Sequence, residues 1–263
     1  MSFIYDKNKD KKCIPVAYEV FKDNKNKKKK KRLLYHTYDD ELGEKSIVLD
    51  PKISIFSPLL YKPIGEDQRV APFIFGMSGS GKSTFLATLL NNMQKFDPKR
   101  VHYLITHKNR PDKSLSKVEN LEKVDLESLF DVDFEDAFED TNVLFDDHLK
   151  TKDAELKNTI HNIHEELLER SRDINCNVYS IFHNPKQRND TTSAAFETTA
   201  VISFPQGNRA ATLRFYKDKF DFNNKQLEYV RKLKADGRYT YCLFNQSPQY
   251  ILSNDRIIML DEI

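Results

Sequence analysis

Eight consecutive residues, Gly76-Met77-Ser78-Gly79-Ser80-Gly81-Lys82-Ser83, follow the spacing G-x-x-x-x-G-K-[ST]. Glycines let a backbone wrap closely around an anion, so that successive N–H groups can point at phosphate oxygens. Lys82 adds a cation for the outer phosphates, Ser83 a hydroxyl for a divalent metal, and Thr84 the next polar group along the same turn. A glycine-rich hairpin turn would account for the glycines, but not for Lys82 and Ser83 directly after Gly81. The chemistry implied is the holding of a nucleoside triphosphate with Mg2+.

A second stretch, Asn142-Val143-Leu144-Phe145-Asp146-Asp147, is an apolar run that ends in two carboxylates. Asp146 suits the metal shell, and Asp147 suits a group that orients or deprotonates an attacking water. A buried strand ending in a solvated turn is the plain alternative, and the loop at 76–83 shifts the balance against it. The two stretches are expected to meet on adjacent strands. A third run, Cys176 to Phe182, ends in His183-Asn184-Pro185, at the kind of strand edge where open α/β sheets bind ligands. His183 or Asn184 could report the γ-phosphate there, although a turn opened by Asn-Pro explains the same residues.

These side chains need elements to position them. Val70 to Phe75 reads as the strand before the loop, and Thr84 to Met93 as a helix with Phe85, Leu86, Leu89, Leu90 and Met93 along one face. Arg100 to Thr106 reads as a second strand. Ala154 to Ser171 reads as an amphipathic helix with Leu156, Ile160, Ile163 and Leu167 on its stripe. Its His161 and His164 are taken as surface or half-buried residues rather than metal ligands, because no third ligand stands at a recognisable spacing. Strands follow at Thr199 to Phe204, Tyr239 to Phe244 and Tyr250 to Leu252, with a helix from about Asn224 to Ala235. This alternation predicts an α/β fold with a mostly parallel sheet flanked by helices. The acidic residues from Asp131 to Asp140 fit no calcium loop and read as a solvated face.

Residues 1–68 read as a β-rich extension before a core over 69–263, with strands near Val16 to Phe21 and Leu33 to Tyr38. Between them Lys25, Lys27 to Lys31 and Arg32 form a basic hairpin loop: a contact for DNA phosphates, an import signal or a solvated loop. The whole chain, 263 residues with 31% charged and net charge +2, has no global basic excess, so any nucleic-acid surface must come from charge segregation. Cys13, Cys176 and Cys242 lack C-x-x-C spacing and read as small buried apolar residues in a reducing compartment. The polar N-terminus and the lack of a membrane-length apolar run point to a soluble intracellular chain.

The loop at 76–83, the strand ending at Asp146-Asp147, an arginine-bearing helix end at Arg170 to Arg172 and the strand ending at His183-Asn184 resemble the genome-packaging ATPases of large DNA viruses and virophages. These belong to the FtsK-HerA superfamily of P-loop NTPases. The resemblance covers roughly residues 70–205. It implies an additional-strand, RecA-like core that uses ATP and Mg2+ and assembles as a homo-oligomeric ring. It also implies sequence-independent translocation of double-stranded DNA, a capsid or portal partner, and a place in the host cytoplasm, viral factory or virion. By position Arg172 is the implied finger toward a neighbour's γ-phosphate and Arg170 the alternate, with Arg209 and Arg214 behind them. Two departures stand out: Asp147 where many relatives carry Glu, and His183-Asn184 where an amide such as Gln is usual. A nucleoside or nucleotide kinase and an ATP-binding scaffold without turnover remain the rival readings.

Overall fold

The structure, a computed structural model, describes residues 1–5, 13–23, 28–39, 41, 43–60, 69–109, 112–185, 191–204, 209–233, 241–244 and 249–263. The N-terminal segment holds β1 (Ser2–Ile4), β2 (Cys13–Lys22), β3 (Lys29–Thr37), β4 (Ser46–Val48) and β5 (Ser54–Pro58). Four of these form an antiparallel sheet in the order β1-β3-β2-β5, while β4 pairs with a C-terminal strand as the outermost member of the large sheet. Lys29 to Arg32 thus lie on a strand rather than in the expected loop, and Lys25 and Lys27 fall outside the described residues.

The rest alternates strands and helices: β6 (Pro72–Gly76), α1 (Lys82–Met93), β7 (His102–Ile105), β8 (Leu121–Lys123), α2 (Phe134–Phe138), β9 (Asn142–Asp146), α3 (Ala154–Arg170) and β10 (Asn177–Phe182). Then come α4 (Thr192–Phe196), β11 (Ala200–Phe204), α5 (Arg209–Phe220), α6 (Asn224–Lys232), β12 (Tyr241–Phe244), β13 (Tyr250–Leu252) and β14 (Arg256–Met259). The large sheet runs β4-β14-β13-β12-β11-β6-β10-β9-β7-β8, parallel from β8 to β11 and antiparallel beyond.

That order corrects one expectation. The loop strand β6 and the carboxylate strand β9 are not neighbours, because β10 pairs with both and stands between them. The inserted β10 brings the third motif between the other two.

β6 and β9 are buried throughout, which is why they appear in the sequence as continuous apolar runs rather than alternating ones. Alternation then splits each strand between two cores. Phe73, Phe75, Val143 and Phe145 face α3 and α5 through Ile160, Leu167, Phe215 and Tyr216. Ile74, Leu144, Tyr179 and Ile202 face α1 through Leu86, Leu89 and Leu90, with Val16, Leu34 and Phe56 of the small sheet in the same cluster. Burying each such side chain is worth roughly 1.5–3 kcal/mol, so the strands that carry the motifs are held from both sides. Cys13, Cys176 and Cys242 are free and buried. Among the described residues no helix is long and apolar enough to cross a membrane.

Candidate active site

The parallel strands point their C-terminal ends the same way, so the segments after β6, β7, β9 and β10 share one edge of the sheet. They line a cleft of about 550 Å³ that includes Ser78 to Thr84, Lys108, Asp112, Asp146, Asp147, Lys150 and His183. All three motifs singled out from the sequence reach this edge.

The loop carries Gly79 at φ 75° and Gly81 at φ 102°, left-handed conformations that favour glycine. Gly81 is also the N-cap of α1 and offers no side-chain acceptor, so the helix presents its first N–H groups toward the cleft with their positive dipole end. Buried Ser80 Oγ has no partner among the described residues, an unsatisfied polar atom of the kind a ligand would satisfy. Lys82 Nζ donates to the carbonyls of Gly76 and Met77. Burial pushes the pKa of this lysine down, against the pull of Asp146 and Asp147. Such a half-compensated ammonium is what a β/γ-phosphate would neutralise.

Ser83 Oγ donates to Asp112 Oδ2 at 2.5 Å, and Thr84 Oγ1 lies 3.0 Å from Ser114 Oγ. Asp146 is buried at the end of β9, and Lys108 Nζ donates to its Oδ2 at 2.6 Å. The same ammonium lies 3.5 Å from both Asp147 Oδ2 and Asp112 Oδ2. Burial pushes the Lys108 pKa down, but the bond to Asp146 and the surrounding carboxylates outweigh it and leave the value raised. Lys108 is therefore a fixed positive charge among three carboxylates. A hydroxyl and carboxylates form the hard oxygen set that Mg2+ prefers, and Ser83, Asp146 and Asp112 could supply it.

Asp147 has φ 55°, a left-handed conformation that Asp tolerates better than most residues. The turn aims its carboxylate at Lys150 (2.8 Å), His183 Nε2 (3.0 Å) and Lys108. Burial pushes its pKa up, yet the bond to Lys150 and the charges of His183 and Lys108 outweigh that and hold it below the usual carboxylate range. A carboxylate held in its charged form by these partners is suited to orient a water through a hydrogen bond.

Not every predicted residue gathers here. Asn184 is exposed beside His183. Arg170 is tied to Glu166 (2.9 Å) and to Glu135, with its guanidinium over the Phe134 ring. Arg172 is exposed and, among the described residues, has no acidic partner. Both arginines precede β10, at the opposite edge of the sheet. Six residues of strand separate that edge from His183, roughly 20 Å at about 3.3 Å per residue. Arg214 is exposed on α5, and Arg209 begins that helix. His164, expected at the surface or half-buried, is fully buried and bonded to Ser180 Oγ at 2.7 Å, because α3 lies flat against β10. His161 is half-buried beside Glu165. Sequence reasoning missed Lys108, Asp112 and Lys150. Their signal was positional: Lys108 closely follows a predicted strand, at the edge where doubly wound sheets place ligands.

Among the described residues, six parallel strands with a glycine-rich loop after one internal strand and an acidic end two strands away define the architecture. The fold is that of a P-loop NTPase. The genome packaging NTPase B204 of Sulfolobus turreted icosahedral virus 2 has a similar structure. Its AMP complex aligns with TM-score 0.51 and 14% identity over 73% of this chain and 98% of that one. Its ATP-γS complex gives 0.50 and 16% over the same shares. The cytoplasmic domain of the Thermomonospora curvata type VII secretion ATPase EccC aligns with TM-score 0.51 and 9% identity, over 95% of this chain and 29% of that one. In sequence, the chain is 27% identical over 165 residues to uncharacterized protein V3 of Sputnik virophage, covering 62% of this chain and 67% of the relative. No protein-family model matches.

Proposed function

We propose that this chain is an ATP-hydrolysing motor that moves double-stranded DNA during viral genome packaging, within the FtsK-HerA superfamily. The observation that carries the reading is the juxtaposition of Lys82, Ser83, Asp146, Asp147 and His183 on one sheet edge, with β10 inserted between β6 and β9. The likeness of fold to a viral genome packaging NTPase, together with the virophage relative, supports the choice of duplex DNA as the track.

The loop N–H groups and Lys82 would hold the triphosphate, and Ser83 and Asp146 would hold Mg2+, which supplies charge neutralisation at the β/γ-phosphates when bound. Asp147 orients the attacking water as a carboxylate. His183, bonded to Asp147, links that water to the end of β10 and is the sensing residue. Arg172 is exposed at the sheet edge opposite its own cleft, so as a finger it would act on a neighbouring subunit in a ring; Arg170, held by two glutamates, is the weaker candidate. A capsid component docks the ring, and the site of action is the host cytoplasm or viral factory.

Phosphate release with and without linear duplex tests this reading. Wild-type protein releases phosphate faster with duplex, and Lys82→Ala does not. Transfer of phosphate to a nucleoside would instead identify a kinase, and ATP binding without turnover a scaffold.

A further inference from the structure

Two faces of the β2–β3 hairpin carry opposite electrostatic situations. The register pairs Glu19 with Arg32, Val20 with Lys31, Phe21 with Lys30 and Lys22 with Lys29. Directly paired residues share a face, and neighbours along a strand alternate. On one face the cations are neutralised: Arg32 pairs with Glu19 at 2.8 Å and lies over the Tyr5 ring at 3.8 Å, and Lys30 pairs with Asp23 at 2.6 Å.

The other face carries Lys22, Lys29 and Lys31, all exposed, with Tyr18 beside them. This face meets the C-terminal end of α1, where Phe96 packs on Tyr18 with ring centroids 6.5 Å apart. Lys95 joins it there. Lys31 and Lys95 both stand over the single Tyr18 ring, at 5.4 and 5.2 Å from its centroid. Among the described residues none of these four lysines has an acidic partner; the one polar contact is Lys31 Nζ to Asn92 Oδ1 at 3.4 Å. Partial desolvation of its ammonium where it lies over the Tyr18 ring, and second the nearness of the Lys95 charge, both lower the Lys31 pKa.

We infer that the lysine face of the hairpin, Lys22, Lys29 and Lys31 with Lys95 of the α1 end, is a docking surface for the phosphate backbone of duplex DNA. The inference rests on the motor reading above. Uncompensated lysines around an aromatic ring suit a polyanion, and neutralising phosphates releases counterions without reading bases. The face is also wired to the nucleotide loop. Helix α1 starts at Lys82 and runs 12 residues, about 18 Å at ~1.5 Å per residue. Near its far end Asn92 accepts from Lys31 and donates to Ser57 Oγ at 2.8 Å, which fixes the helix to the small sheet. Helix α1 thus joins the nucleotide loop at one end to the lysine face at the other.

The test compares wild type, Lys29→Gln/Lys31→Gln/Lys95→Gln, and the single control Lys30→Gln from the neutralised face, each as full chain. Duplex affinity is measured against salt, and ATPase rate with and without duplex. Three lost contacts should lower the slope of log affinity against log salt by about 2.7 and weaken binding roughly 500-fold at 0.1 M salt. Basal ATPase stays unchanged, duplex stimulation is lost, and the control behaves as wild type. Acetylation footprinting of wild type should show Lys31 and Lys95 protected by duplex and Lys30 not. A triple variant with the wild-type slope and stimulation, or equal labelling of Lys31 and Lys95 with and without duplex, overturns the proposal. Wild type that binds no duplex at low salt sinks the motor reading itself, which separates the two failures.

Discussion

Lys108 offers the sharpest perturbation. Its ammonium donates to Asp146 at 2.6 Å and stands 3.5 Å from Asp147 and Asp112, so it occupies a cationic position beside Asp146 and Asp112, the carboxylates that could hold the metal. A hydrogen bond between charged groups contributes about 1.5–3 kcal/mol. With the Lys108 side chain 34% exposed, solvent screening places it at the lower end, about 1.5–2 kcal/mol. A divalent ion entering beside Asp146 must displace that contact. Lys108→Met removes the competitor, so the nucleotide-free protein should bind Mn2+ about 10–30-fold more tightly, at ~1.4 kcal/mol per decade. Titration of free Mn2+ by electron paramagnetic resonance reads this without any turnover. Without metal, the variant should lose stability of the same size, because three carboxylates are left without their shared counter-charge. Mn2+ affinity within twofold of wild type would show that Lys108 does not compete with the metal and is a bystander on the cleft wall.

Other outcomes follow from the same geometry. Lys82→Ala should keep the fold, as judged by circular dichroism, while phosphate release falls by on the order of 10²–10³-fold; residual turnover within tenfold of wild type contradicts the role. Phe73→Ala should cost about 3–5 kcal/mol in denaturant unfolding, since Phe73 is fully buried against Phe75, Phe182 and Phe215; a loss under 1 kcal/mol would mean the strand behind the loop is not a core element. Burial disfavours the charged forms of His36 and His102 and pushes each pKa down to about 4 in the fold. The unfolded chain protonates them near 6.5, so their contribution is complete above pH 6.5 and is lost as pH falls toward 4, on the order of 3 kcal/mol each. His36→Leu should flatten that decline by about one proton in chemical-denaturation midpoints taken from pH 7 to 4.5, and an unaltered slope would exclude His36 as a source. Finally, mixing Lys82→Ala subunits with Arg172→Ala subunits should restore part of the ATPase that each lacks alone, whereas no recovery at any ratio argues against Arg172 acting in trans.

The sequence makes visible whatever depends on local pattern. The loop at 76–83 carries its chemistry in contiguous residues, and β6 and β9 stand out because burial on both faces leaves them apolar without interruption. Helix α3 is legible from its spacing and from Asp153, whose side chain caps it by accepting from the N–H groups of Glu155 and Leu156. What escaped was set by tertiary pairing. The insertion of β10 between β6 and β9 depends on crossovers that no local pattern encodes, and β14 is a strand through its partners β13 and β4, the latter from about 200 residues earlier. Helix α5 hides because Thr212, Phe215 and Tyr216 are buried among charged neighbours without a clean apolar stripe. Lys108 and Asp112 look like ordinary loop charges until the sheet brings the ends of β7 and β9 side by side. The basic run was readable in composition but not in placement, since pairing with β2 turned Lys29 to Arg32 into a strand and divided its charges between two faces.

If hydrolysis at the cleft drives movement along duplex DNA, the chain should displace a labelled third strand from a triplex, with linear duplex leading into the triplex and ATP as fuel. Displacement should require ATP, be absent with a non-hydrolysable analogue and be abolished in Lys82→Ala. Steady ATP hydrolysis on that substrate with the third strand left in place would contradict that coupling.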